Sequence, residues 1–390
     1  MADIAKVDSV AVASVAKFLG RTKATGDSVM NVLYAAAGGG IISSIQEVEI
    51  TISSSSATGT ATITSVDTSR SVVFFSYGNM GGARQTSVSA GVDGVYTRVA
   101  LTNATTVTAT RGASPAFSKT IICTVVEYTD AAVDSVQQGT ISMTDTTASG
   151  TDTISSVTTS RSIVIYNGDS ITVDVGEGRA MTDVSLTNST TVTATRGTTS
   201  STSHSVTTGY VVIEFAAGIT DSVQEYSITI SSGTSATATI SSVDTSRTVT
   251  FPGGMTTPQG GPDAGHEMSY SQLTNATTVT ATRGASGGFN TTISGTMVEF
   301  SAGVIDSIQR GIVTMATTDL TKNTTITAVD LDYAVVQALG GTSTSTSGVD
   351  PEEQFFTLEL TSATNIRSDI GDVGSGRDVI YSYEVVEYVA

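Results

Sequence analysis

The sequence predicts an all-β protein: four tandem small antiparallel β-sandwich modules preceded by a short N-terminal docking segment. Three observations carry that expectation. A twelve-residue phrase, Leu-Thr-Asn-Ala-Thr-Thr-Val-Thr-Ala-Thr-Arg-Gly, runs Leu101–Gly112, returns at Leu186–Gly197 with Ser189 for Ala104, and again at Leu273–Gly284. A fainter copy spans Leu360–Gly371. Its density of Thr, Val and Ala reads as strand, closed by a turn. The period of ~85–90 residues is too long for a solenoid repeat and right for a small domain. Ser/Thr/Val-rich runs broken by Gly, Ser, Asn and Asp turns give each unit about seven or eight short strands, the pattern of a sandwich.

In chain order, residues 1–40 stand apart. Ile4, Val7, Ala11, Val15 and Phe18 fall on one helical stripe. Four bases (Lys6, Lys17, Arg21, Lys23) face three acids (Asp3, Asp8, Asp27), so this segment is net +1 and the remainder carries −19 of the total −18. An amphipathic segment without its own core needs a partner surface. Ile4, Val7, Val15 and Phe18 are therefore the candidate docking residues, and Gly38-Gly39-Gly40 a flexible joint. A frayed tail, or a strand packed on the first module, fits the same residues.

The modules are expected at 41–129, 130–216, 217–301 and 302–390. Each opens on Ser-(Ile/Val)-Gln, at Ser44, Ser135, Ser222 and Ser307. A turn signal follows at Ser65–Arg70, Ser156–Arg161 and Ser242–Arg247, with Ala328–Tyr333 as the fourth version. Each closes on an apolar strand bearing one glutamate: Glu127, Glu214, Glu299 and Glu387. Alternation sends Val126 and Tyr128 to one face, Val125 and Glu127 to the other, one face being core. Links such as Thr129–Asp134 are short, so neighbours should touch in a stiff rod or a compact cluster. Between turn and phrase lie the least repetitive parts, 74–100, 164–185, 250–272 and 334–359, the positions where recognition loops are usually built.

Charge narrows the partners. Thirty-six acids oppose eighteen bases, which disfavours nucleic acid and anionic membranes. No run approaches the ~18 apolar residues of a membrane span. Cys123 is the only cysteine and alternates with Ile121 and Val125, so it reads as core, and assembly in a reducing cytoplasm is expected. His204 and His266 lack ligands at metal spacing. Asp169, Asp174, Asp183, Asp330 and Asp332 could offer calcium their oxygens, but no recognised ligand loop surrounds them. No catalytic residue, cofactor site or metal site is nominated, and no enzyme activity is expected. Asn103, Asn188 and Asn275 match the glycosylation acceptor, although turn chemistry explains them better.

Arginine pairs recur as Arg70/Arg111, Arg161/Arg196 and Arg247/Arg283, whereas the fourth unit has Tyr333 and Ile370 there. We read these six as structural, guanidinium forks tying turns to carboxylates or carbonyls. Binding of an acidic ligand is the alternative.

Together the Ser-Val-Gln openings, Ser-Val-Asp-Thr-Ser-Arg turns, Leu-Thr-Asn-Ala-Thr-Thr strands and Val-Val-Glu-Tyr endings resemble tandem β-modules of tailed-bacteriophage virion proteins, particularly tail-fibre-like and appendage proteins. The resemblance implies a non-enzymatic virion protein assembled in the host bacterial cytoplasm. It implies a homo-oligomer, with a trimer favoured, whose N-terminus docks on tail, neck or capsid proteins and whose modules project toward a host-surface receptor or glycan. A head decoration protein is the first alternative, and a polysaccharide-binding or -degrading spike the second.

Overall fold

The computed structural model describes residues 40–75, 83–85, 92–114, 116–172, 180–199, 204–258, 267–288, 290–344, 355–371 and 377–390. Strands make up 64% of the described residues, with almost no helix among them, as an all-β reading requires. The arrangement is different from the expected one. The strands form a five-bladed β-propeller instead of four tandem β-sandwich modules. The candidate docking residues Ile4, Val7, Val15 and Phe18 lie outside the described residues.

The first repeat contributes β1 (Ile42–Ile52), β2 (Thr58–Thr62), β3 (Ser71–Phe75), β4 (Ala83–Gln85), β5 (Thr97–Asn103), β6 (Thr106–Arg111) and β7 (Lys119–Tyr128), with one helical turn, α1 (Val92–Val95), ahead of β5. The second supplies β8 (Val133–Thr144), β9 (Ser149–Thr153), β10 (Ser162–Ile171), β11 (Thr182–Asn188), β12 (Thr191–Arg196) and β13 (Ser205–Phe215). The third supplies β14 (Thr220–Ile230), β15 (Ser235–Thr239), β16 (Thr248–Thr256), β17 (Ser269–Asn275), β18 (Thr278–Arg283) and β19 (Thr291–Phe300). The fourth supplies β20 (Ile305–Met315), β21 (Thr321–Thr325), β22 (Ala334–Ser343), β23 (Phe356–Ser362), β24 (Asn365–Ile370) and β25 (Val379–Tyr388).

Three blades are six-stranded, in the orders β2-β6-β5-β10-β13-β8, β9-β12-β11-β16-β19-β14 and β15-β18-β17-β22-β25-β20. Each takes half its strands from one repeat and half from the next. The remaining two, β1-β7-β3 with β4 beside β7 and β21-β24-β23, have four and three strands. Glycine decides where a sheet can cross a repeat boundary. Gly168, Gly254 and Gly340 sit at positive φ (91°, 104° and 105°) in bulges that pair with Arg98, Asp183 and Tyr270 of the preceding repeat. A Cβ there would lie 2.1, 2.3 and 2.4 Å from the carbonyl oxygens of Thr97, Thr182 and Ser269. Only glycine admits both the backbone conformation and the approach. In the first repeat residues 76–82 stand between β3 and β4 instead. There the ring closes by packing, with β23 and β24 beside β4 and β7.

Crossing strands also change the burial pattern. The expectation of one core face is corrected: β3 and β7 are buried on both faces. Val73, Cys123 and Val125 fill a core shared with Leu101 and Val107. Val72, Val126 and Tyr128 face a hub that draws on all four repeats, including Ile213, Val298 and Val386. At its centre Tyr128, Phe215, Phe300 and Tyr388 meet edge to face, with centroids 6.1, 5.3 and 6.2 Å apart in sequence order. Such contacts bring roughly 0.5–1.5 kcal/mol each beyond area burial. The four aromatics end the four closing strands, so the repeat places them on one axis.

Candidate functional site

The repeated polar residues converge at one end of each closing strand. In every repeat the glutamine of the opening motif clasps the backbone after the next strand with both amide atoms. Gln46 accepts from Thr64 N–H (2.8 Å) and donates to its carbonyl (3.1 Å). Gln137 does the same to Ser155, Gln224 to Ser241 and Gln309 to Thr327. An amide carries donor and acceptor side by side, so it replaces a missing strand neighbour.

The glutamate of each closing strand accepts the first backbone N–H of the turn: Asp67 to Glu127 (3.1 Å), Thr158 to Glu214 (3.0 Å), Asp244 to Glu299 (3.1 Å) and Asp330 to Glu387 (2.7 Å). Arginine joins this knot in three repeats. Arg70 pairs with Glu127 at 3.1 Å and with Asp130 in the following link. Arg161 spans Glu214 (2.7 Å) and Asp134 (2.5 Å). Arg247 spans Glu299 (2.6 Å) and Asp221 (2.6 Å). In the fourth repeat Tyr333 keeps the backbone bond, Tyr388 N–H to Tyr333 C=O at 2.9 Å, and Ser307 Oγ donates to Glu387 (2.8 Å).

The other three arginines stay far from carboxylate knots and act on carbonyls. Arg111, Arg196 and Arg283 are almost wholly buried, at 1, 2 and 1% exposure, each at the end of its phrase strand. Arg111 donates to Ser53, Ser56 and Phe117 C=O. Arg196 donates to Thr144, Asp145 and Thr147 C=O and to His204 Nε2 at 2.8 Å. Arg283 donates to Ser231, Gly233 and Gly287 C=O. Burial lowers the pKa of all three guanidinium groups, yet they stay charged, since arginine starts so high. The six arginines thus form two sets of three at opposite strand ends, not three paired sites.

The glycosylation-like asparagines close turns: Thr105, Thr190 and Thr277 N–H donate to Asn103, Asn188 and Asn275 Oδ1, each at 2.9 Å. Cys123 is buried and burial pushes its thiol up to about 12. Among the described residues no three His, Cys, Asp or Glu side chains converge as metal ligands; Asp174 and His266 fall outside them. Asp169 is instead buried, accepting from Tyr166 Oη (2.5 Å) and Thr182 Oγ1 (2.8 Å), and desolvation pushes it up to about 7.

Two features escaped sequence reading. One is the clasp across each repeat boundary, three residues after the opening serine. Glu47 accepts from Leu360 N–H (3.1 Å), Gln138 donates to Leu101 C=O (2.6 Å), and Arg310 reaches Thr245 C=O (2.9 Å) and buried Glu384 (2.8 Å). The period was visible at those positions, but the varying residue types hid the role. The other is the meeting of Gly40 with the C-terminal residues: a Cβ on Gly40 would lie 2.7 Å from Val389 C=O. No family model, no curated protein and no solved structure matches the chain.

Proposed function

We propose that the protein is a non-enzymatic structural component of a tailed-bacteriophage particle, a closed β-ring tethered through residues 1–39. One observation supports this reading most. Gly40 packs against Val389 and the C-terminal Ala390 at the hub end of the ring. The variable stretches continue from β3, β10, β16 and β22, whose far ends (Phe75, Ile171, Thr256 and Ser343) lie opposite the turns at Arg70, Arg161, Arg247 and Tyr333. Tether and variable stretches therefore leave from opposite ends, as attachment at one end and surface contact at the other would need. The repeated charged groups serve the frame itself, which suits a load-carrying part.

The phage assignment rests on the sequence resemblance. A closed ring suits a knob or a head decoration better than a serial rod. Among the described residues the exposed large hydrophobics, Ile312, Leu320 and Leu331, all lie in the fourth repeat, so that sector is where a neighbouring subunit would sit. Removing residues 1–39 should leave the ring's melting unchanged and abolish its incorporation into particles. Incorporation of the truncated ring at the normal copy number would refute the tether. Antibody against the ring that labels no particle would refute the assignment, and label density would separate a tail appendage from capsid decoration.

A further inference from the structure

Two buried cations of the first repeat, Arg111 and Lys119, have no carboxylate beside them among the described residues. Arg111 ends β6 two residues after Ala109, and Lys119 begins β7 two residues before Ile121. Ala109 and Ile121 belong to one core, so strand alternation turns both basic side chains into the far end of that core. They are 1 and 2% exposed. The other repeats place Val206, Thr291 and Val379 where Lys119 stands, each opposite the same position of its opening strand. An ammonium in the dry place of a valine needs a partner.

Their donors outnumber the acceptors around them. Arg111 Nε donates to Ser56 C=O (2.9 Å), and Nη2 to Ser53 (3.0 Å) and Phe117 (3.1 Å) C=O. Its Nη1 is buried without an acceptor. In the second repeat the same nitrogen of Arg196 meets His204 Nε2 at 2.8 Å, two residues before Val206. Phe117, two residues before Lys119, takes that place in the first repeat and lays its ring over the guanidinium, 4.9 Å from Cζ. The acceptor is thus lost on the side where β7 starts. Lys119 Nζ donates to Val95 C=O and lies 5.4 Å from the ring centroid of Phe355. An ammonium has three donors, so two of them remain. Burial, and then the charge of Arg111, hold this amine well below the usual lysine range.

We propose that a chloride-sized anion binds inside the first repeat, between Arg111 Nη1 and Lys119 Nζ. A single anion supplies both the charge and the acceptor that the two groups lack. Both side chains are almost wholly buried, so the ligand is small. Bound there, it would return Lys119 to its charged form. The site also reaches across the ring. Phe355, beside Lys119, belongs to the fourth repeat and meets Tyr96 of the first edge to face at 5.9 Å. Among the described residues no strand pairing bridges this boundary, so the anion would brace the ring where backbone bonds do not. The inference stands apart from the particle assignment, and each can fail alone.

The experiment melts full-length protein in sodium chloride and in sodium gluconate at equal ionic strength, so that screening is common to both. Chloride should raise the melting temperature saturably, and gluconate, too large for the site, should not. Lys119→Met puts an apolar side chain where Val206 and Val379 already sit, so it should fold and lose the chloride response. A second measurement serves if that variant does not fold. Crystals of the parent grown in sodium bromide should show anomalous bromine density within hydrogen-bonding reach of Arg111 Nη1 and Lys119 Nζ. Equal melting in the two salts overturns the inference, as does a chloride response retained in Lys119→Met. So does a bromide crystal without density between the two groups.

Discussion

Single side chains in this ring act mainly by completing backbone hydrogen bonds. Arg196 satisfies three carbonyls and His204 from a buried position. Its truncation leaves those acceptors in a dry interior, at roughly 1–3 kcal/mol for an orphaned group. Arg196→Ala should lower the unfolding free energy in urea by about 3 kcal/mol. Arg196→Lys should recover less than half, because a compact ammonium cannot reach the whole set. Asp169 gives a pH signature. Burial raises its carboxyl from 3.8 to about 7, so the folded state holds the proton more tightly than the unfolded chain. The resulting stability is full below the unfolded pKa and is lost as pH rises through about 7. The effect is up to about 4 kcal/mol, from ~1.4 kcal/mol per pKa unit. Asp169→Asn, neutral throughout, should shrink the drop in melting temperature between pH 5 and pH 8. An unchanged drop would locate the linkage elsewhere, with Asp183, raised to about 6 by burial, as the next group to test.

Among elements, the bulged strands β10, β16 and β22 determine the architecture. Gly218 and Gly254 both have positive φ (89° and 104°), but only Gly254 is crowded: nothing lies within 4 Å of a Cβ on Gly218. Gly218→Ala should therefore cost only the conformational term, about 1–2 kcal/mol. Gly254→Ala should cost clearly more, since its methyl meets Thr182 C=O at 2.3 Å and must part β11 from β16. Equal losses in denaturant titrations of the two variants would show that the boundary bridge carries no energy. The strands themselves were legible as strands because Thr and Val alternate regularly, but the repeated phrase, read as one strand, is a hairpin of β5 and β6 that turns where Asn103 Oδ1 accepts from Thr105 N–H. Blade membership was not legible. A strand's alternation records which of its residues are buried, and it is silent on which repeat does the burying.

For the whole molecule the hub matters most. Repeat two turns Ile163, Ile165, Val211, Ile213 and Phe215 toward it. Residues 130–216 expressed alone should thus expose that face and fail to fold cooperatively, where an independent sandwich would melt as a unit. Circular dichroism melting of the excised repeat decides the point. Conversely, joining Ala390 to Gly40 by a short Gly-Ser linker and opening the chain at Ala217/Gly218 should yield a folded ring, because Gly40 and Ala390 already touch. An unfolded permutant would mean that the first boundary in the chain must form before the others.

The four-fold repetition, the all-β class and the core placement of Cys123 all follow from local pattern. Each concerns residues near in sequence or repeated at one period. The choice between separate sandwiches and shared propeller blades was made elsewhere, by Gly168, Gly254 and Gly340, whose missing side chains let the preceding repeat approach. The same is true of the Glu47–Leu360 and Gln138–Leu101 clasps. They join residues from different repeats, and only packing in three dimensions determines which repeat meets which.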